Sequence, residues 1–467
     1  MKASRSDSMR GWRSGDGWAN QVVIENAYIA PVVGQEIPNG HLVIENGRIT
    51  ALGAGAAPVI EGAERIDGTG TLVTPGLVNT HHHLYQWATQ GLFQDATLFE
   101  WLTGLYRIWA RMDAEAVHGA AAAGLGWLAL TGCTTSTDHH YVFPKGRGDL
   151  FAAEVNAARE IGIRFHPCRG SMDRGQSSGG LPPDECVETT DEILAHTVEM
   201  IDTYHDASFD SMLRVAVAPC SPFSVSEMLM RESAALARAK GVRLHTHLAE
   251  TVDEEEHCLE QMGCTPVEYM EKIGWLGEDV WFAHAVHLHD KDIRRFADTG
   301  SGSAHCPSSN ARLGAGIARV RDLLAAGAPV GLGVDGNASS EMTSMAGEMR
   351  QALLFQRAVH GPKALTARQA LQIGTLGGAR NLGRHHEIGS LEVGKLGDIA
   401  MWRVDGFYSA IDDPICSLVF GPTPPLARLL VGGNTVVDNG ELRTADQERI
   451  ARGGVEARRR FLQEDAR

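Results

Sequence analysis

The stretch Thr74-Pro-Gly-Leu-Val-Asn-Thr-His81-His82-His83 places a Pro-Gly turn before an apolar run that ends in histidines. Side chains alternate along a strand, so His81 and His83 face one side and can share a metal ion, while His82 faces away. Alone this is a weak signal, because a His-rich strand end is often just a polar loop. Three further apolar runs end in groups of the same kind: His247-Leu-Ala-Glu250, Ala283-His284-Ala and Val334-Asp335-Gly. Four strand ends that offer a His pair, a His with a Glu, a His and an Asp point to a metal-dependent hydrolase assembled around a barrel rim.

Such a rim needs a barrel. Apolar runs alternate with helical stretches at 72–79, 134–138, 164–168, 213–219, 242–247, 280–284, 301–306 and 330–335, with helix-like segments such as 114–130, 151–161 and 227–239 between them. Eight such runs predict an α/β fold, a (β/α)8 TIM-like barrel over residues 71–386. A doubly wound sheet does not require eight repeats, and the Gly-rich phosphate turn is missing. Residues 21–70 read as short strands with a hairpin at Asn46-Gly47. The same pattern returns over 387–445, so both chain ends are expected to build one small β-sandwich domain. A polar, Arg-rich helix is expected over 446–467, and residues 1–20 read as a disordered tail with no apolar core of a signal peptide.

Bulk properties exclude several classes. The chain has 467 residues and a formal charge of −16, from 42 Lys and Arg against 58 Asp and Glu. That balance argues against a nucleic-acid surface. No window approaches the roughly 18 apolar residues of a membrane span. The eight cysteines form no CxxC pair and read as reduced thiols, consistent with a cytoplasmic protein. Cys220 and Cys306 are expected in the wall of the pocket.

Taken together, Pro75-Gly-Leu-Val-Asn-Thr-His-His-His, His247-Leu-Ala-Glu, Ala283-His-Ala-Val-His, Val334-Asp-Gly and Gly389-Ser-Leu-Glu-Val-Gly-Lys-Leu-Gly-Asp-Ile-Ala resemble the amidohydrolase superfamily, in its mononuclear aromatic deaminase branch. The resemblance runs from about Val22 to Ile450. Three stretches are similar to the 8-oxoguanine deaminases: His83-Leu-Tyr-Gln86, Arg169-Gly-Ser-Met with Gly179-Gly-Leu-Pro-Pro-Asp184, and His305-Cys-Pro-Ser-Ser-Asn-Ala-Arg-Leu313. The s-triazine hydrolases are near relatives. The resemblance implies hydrolytic deamination of a small aromatic heterocycle, and its members commonly form homo-oligomers.

On this reading His81, His83, His247 and Asp335 hold one divalent ion, with zinc ahead of iron or manganese on ligand type. Binuclear relatives place a bridging lysine at the end of the fourth run, and Cys220 stands there instead. A divalent ion lowers the pKa of water from about 15.7 to roughly 7. Asp335 is expected to take the water proton. Glu250 is expected to protonate a ring nitrogen and then the leaving amine, which requires a carboxyl pKa raised by burial. His284 is expected to stabilise the tetrahedral oxygen. Gln86 and Arg169 are the expected substrate contacts, one to a ring edge and the other to a ring carbonyl. His245 competes with His247 as a ligand, and the three-residue spacing to Glu250 favours His247. His139, His140, His287 and His289 are expected at the pocket edge or in solvent. His385-His-Glu387 begins the pattern of another zinc deaminase class, but no downstream Cys pair completes it.

Overall fold

Both chain ends meet in one sheet. The computed structural model describes residues 21–342 and 344–463. The disordered tail expected over 1–20 lies outside the described residues, as do positions 464–467 of the helix expected over 446–467. The N-terminal strands are β1 (Gln21–Ile29), β2 (Ile37–Glu45), β3 (Arg48–Ala54), β4 (Glu64–Asp67) and β5 (Thr71–Pro75). Next come β6 (Leu77–Asn79), β7 (Cys133–His140), β8 (Arg164–Ser171), β9 (Ala216–Pro219), β10 (Leu244–Leu248), β11 (Val280–His284), β12 (Gly302–His305) and β13 (Val330–Leu332). The chain closes with β14 (Ile399–Arg403), β15 (Leu426–Val431), β16 (Asn434–Asp438) and β17 (Glu441–Leu442). Strands β6 to β13 form a closed parallel barrel, with β13 returning to β6 through Leu332 and Asn79. The other nine form one sheet in the order β17-β16-β15-β14-β5-β1-β2-β3, with β4 beside β1.

Local chemistry explains several junctions. At the β2–β3 turn Asn46 and Gly47 have φ of 49° and 78°, the paired positive angles of a two-residue hairpin that matches strand twist. The apolar run at 72–79, expected as one strand, is two. At Gly76 a Cβ would collide with Thr134, and the Gly76 N–H donates to Asp398 O at 2.9 Å. There β5 leaves the outer sheet and β6 enters the barrel.

The two layers are clamped by charge. Arg164 of β8 meets Asp398, near the end of the motif that starts at Gly389, through two bonds of 2.7 and 2.9 Å, and both side chains are buried. Asp398 also accepts the Gly432 N–H at 2.7 Å. With each oxygen engaged, this bidentate pair is satisfied although it is out of water. The helix Gln447–Leu462 is Arg-rich on its outer face and buries Ile450, Ala457 and Phe461 at helical spacing against the helix Ala114–Leu130. No helix among the described residues is long and apolar enough to cross a membrane. None of the eight cysteines is in a disulfide.

Candidate metal centre and catalytic site

The C-terminal ends of the barrel strands bring the predicted residues together. After β6 the chain crosses the barrel mouth as Thr80–His83: the Thr80 N–H donates to Leu332 O and the Asp335 N–H to His81 O. His247 lies in β10, His284 ends β11 and Asp335 follows β13. Ala249, His284 and Asp335 have φ of 52°, 69° and 60°. Left-handed backbone at a non-glycine residue costs about 1–3 kcal/mol, and such strain clusters where side chains must be aimed.

Hydrogen bonding fixes which nitrogen of each imidazole is free. Carbonyl oxygens only accept, so a ring nitrogen facing one carries its hydrogen. His83 Nδ1 donates to His139 O at 2.7 Å, and His247 Nδ1 to Cys220 O at 2.6 Å. His245 Nδ1 donates to Trp281 O at 2.8 Å, so its Nε2 accepts the Nδ1 hydrogen of His81, also at 2.8 Å. Burial keeps these rings neutral: it pulls His83 down to about 4, His245 down to about 3, and His81 and His247 well below the ordinary value. The Nε2 atoms of His81, His83 and His247 are therefore bare lone pairs. His83 Nε2 lies 3.1 Å from His247 Nε2, and His81 Nε2 and His83 Nε2 each lie 3.3 Å from Asp335 Oδ1. Four acceptors converge with no hydrogen between them, and a cation satisfies that arrangement. The donor set is three imidazoles and a carboxylate without thiolate, which fits a catalytic rather than a structural zinc site.

Two carboxyl groups at this cluster, Asp335 within it and Glu250 near it, have different surroundings. Asp335 accepts from Ser309 Oγ at 2.6 Å, from the Gly336 N–H at 2.7 Å and from Ser339 Oγ at 3.3 Å, all of which favour its ionised form. Glu250 has no such donors. Burial pushes its carboxyl up to about 7, opposed by His284 and assisted by Asp335 and Glu254. His284 Nε2 stands 3.6 Å from Glu250 and 4.0 Å from Asp335, with its Nδ1 on Asn310 Oδ1 at 2.9 Å. Burial alone would lower the His284 imidazole, but the carboxylates of Glu250 and Asp335 outweigh it and raise its pKa. Glu254, in the first turn of the next helix, accepts the N–H groups of Ala249 and Glu250 at 2.9 Å each and so grips the Glu250 backbone.

These groups open on a narrow pocket at the barrel mouth. Its walls include Trp101, Tyr106, Tyr141 and Phe223, with Gln86, Glu250, His284 and Asp335 as polar points. Gln86 Oε1 and Trp101 Nε1 are buried with no hydrogen-bond partner among the described residues, leaving one acceptor and one donor for a ligand. Cys220 lines the cavity, whereas Cys306 is buried and not among its lining residues.

Arg169 is not brought to the cavity. β8 runs on to Ser171, so Arg169 lies within the strand instead of at its end. Its guanidinium pairs with Glu188 at 2.7 and 2.9 Å, bonds His196, and stacks 4.0 Å from the Phe143 centroid. Likewise β7 runs past Asp138, so His139 and His140 are buried, not at the pocket edge. His139 lies in the same imidazole group as His81, His83 and His247, and His140 Nδ1 meets Glu154 at 2.6 Å. His287 is half-buried and His289 exposed. Sequence reasoning missed Glu254, Ser339 and Trp101. The only signal for Glu254 was its spacing of four from Glu250, which aligns two residues on a helix but says nothing of a backbone grip.

A model of the amidohydrolase family matches residues 72–436. An 8-oxoguanine deaminase of Pseudomonas aeruginosa is 44% identical over 411 residues, covering 87% of this chain and 91% of the relative. An isoxanthopterin deaminase from an unknown prokaryotic organism is 37% identical over 446 residues, covering 91% of each. Among solved structures, an atrazine chlorohydrolase from Arthrobacter aurescens TC1, complexed with zinc, is similar at a TM-score of 0.88 and 33% identity, covering 94% of this chain and 100% of that one.

Proposed function

The chain belongs to the amidohydrolase family and is a hydrolase of carbon–nitrogen bonds, and we propose that it deaminates an amino-substituted purine-like ring, converting 8-oxoguanine to urate and ammonia. The observation that carries the reaction type is the pairing of a buried Glu250, its carboxyl pushed up to about 7, with an Asp335 held by hydrogen-bond donors at one cluster of bare imidazole nitrogens. The identity to the Pseudomonas aeruginosa 8-oxoguanine deaminase supports the named ring.

His81, His83, His247 and Asp335 hold one divalent ion in this reading, zinc by ligand type. When bound, such an ion supplies an activated water by lowering its pKa to roughly 7. Asp335, held ionised by Ser309 and Gly336, accepts a proton from the attacking water. Glu250 gives its proton to a ring nitrogen, which makes the amine-bearing carbon electrophilic. A C–O bond forms at that carbon and its C–N bond breaks. One proton of water leaves on ammonia by way of Asp335, and the other returns to Glu250 in place of the one that stays on the ring nitrogen. His284, 3.6 Å from Glu250 and 4.0 Å from Asp335, stabilises the developing oxygen charge. Gln86 Oε1 accepts from the ring edge and Trp101 Nε1 donates to it, since each is buried without a partner among the described residues.

Ammonia release by the zinc-loaded protein tests the proposal, with 8-oxoguanine, guanine, isoxanthopterin, cytosine and an amino-hydroxy-s-triazine as substrates. Rapid release from 8-oxoguanine is expected. Ammonia from another ring alone would replace the named substrate, and silence across the panel would reject deamination. A second reading, loss of chloride or an alkylamine from an s-triazine, draws on the likeness to the atrazine chlorohydrolase. A departing amine must be protonated and chloride need not be, so a Glu250 that can carry a proton near pH 7 favours ammonia.

A further inference from the structure

We propose that His245 is a positioning residue for the metal ion: its Nε2 accepts the Nδ1 hydrogen of His81 and so fixes the tautomer that leaves His81 Nε2 free to bind. This rests on the metal site proposed above. His83 and His247 have their tautomers set by main-chain carbonyls, which no substitution removes. His81 is the one imidazole ligand whose tautomer depends on a replaceable side chain.

Trp281 dictates the direction of the relay. Its carbonyl accepts from His245 Nδ1 at 2.8 Å, while its indole N–H donates to Thr80 O at 2.9 Å, one residue before His81. The same residue therefore fixes both the backbone that carries His81 and the acceptor that orients its ring. The His245 ring also stacks on the Trp281 indole, with centroids 4.5 Å apart and planes 16° apart, and it is fully buried. Were His245 to carry its hydrogen on Nε2, the Trp281 carbonyl would face a lone pair and His81 would turn an N–H toward Asp335. Partners of this kind orient ligand imidazoles and raise their basicity, and their loss typically weakens metal binding about 10–100-fold.

The test is the zinc dissociation constant of the full-length protein, by competition with a chromophoric chelator, for wild type, His245→Phe and His245→Gln. Phe fills the ring volume without an acceptor, and Gln restores an acceptor oxygen. The expected result is binding about 10–100-fold weaker for His245→Phe and within a few-fold of wild type for His245→Gln. Wild-type affinity in His245→Phe would overturn the proposal, as would equal losses in both variants. If His245→Phe does not fold, nitrogen NMR of the histidines in zinc-loaded wild type decides: a hydrogen on His245 Nδ1 is expected, and one on Nε2 overturns the relay. A wild type that holds no stoichiometric zinc would overturn the metal reading and this inference with it. Tight zinc in both wild type and His245→Phe would overturn the inference alone.

Discussion

His83 Nε2 and His247 Nε2 stand 3.1 Å apart with no hydrogen between them, because each ring has already given its Nδ1 hydrogen to a main-chain carbonyl. Two lone pairs at that distance repel unless a cation lies against both. Removing the metal with a chelator is therefore expected to lower the thermal midpoint as well as abolish turnover, and zinc should restore both. At a free ion concentration 100 times the dissociation constant, the linkage is worth about 2.7 kcal/mol. An unchanged midpoint after verified metal removal would contradict this.

Glu250→Gln keeps the volume but holds no transferable proton. It should retain zinc and lose kcat by about 10²–10⁴-fold, the usual contribution of a positioned acid or base. Asp335→Asn should lose turnover on the same scale and also bind zinc more weakly. Metal content measured beside kcat separates the two, and full activity in Glu250→Gln would remove it from the chemistry.

Gln86→Ala removes an acceptor with no partner among the described residues, so its effect should appear when substrate binds. We expect kcat/KM to fall about tenfold, near 1.4 kcal/mol for one hydrogen bond, with most of the change in KM. Steady-state kinetics on 8-oxoguanine measures it, and an unaltered KM would reject the contact.

Glu348 couples stability to pH. Its carboxyl is fully buried, accepts the Ser308 N–H at 3.1 Å, and is pushed up to about 8 by burial. The folded state thus binds a proton that the unfolded chain has released above its ordinary carboxylate pKa. Stability contributed by this group is complete below that unfolded value and is lost as pH rises through about 8. Within that window the loss approaches about 1.4 kcal/mol per pH unit. Urea unfolding across the range should show that Glu348→Gln gains on wild type as pH rises; parallel curves would refute the assignment.

Asp398→Ala leaves Arg164 buried without its partner. The expected cost is about 3–5 kcal/mol, read from the urea midpoint. A midpoint within error of wild type would show that the clamp between the two layers contributes little.

The convergence of His81, His83, His247, His284 and Asp335 was legible in the chain because strand alternation and the order of apolar runs are local properties. They place His81 and His83 on one side, and His247, His284 and Asp335 at the ends of later strands. The turn at Asn46-Gly47 was legible for the same reason, since its backbone angles are intrinsic to those residues. Strand ends were not local. β7 and β8 each run past the expected stop because neighbouring strands continue the ladder, and this buries His139 and His140 and keeps Arg169 from the cavity. Tertiary structure also decided which nitrogen of each histidine is free, through carbonyls contributed by other strands. His245 faces Trp281 and His81, which lie 36 and 164 residues away in the chain. The sequence determined which groups could bind a metal; only the closed barrel decided which of their atoms are free to, because a tautomer is set by the neighbour across the barrel and not by the neighbour in the chain.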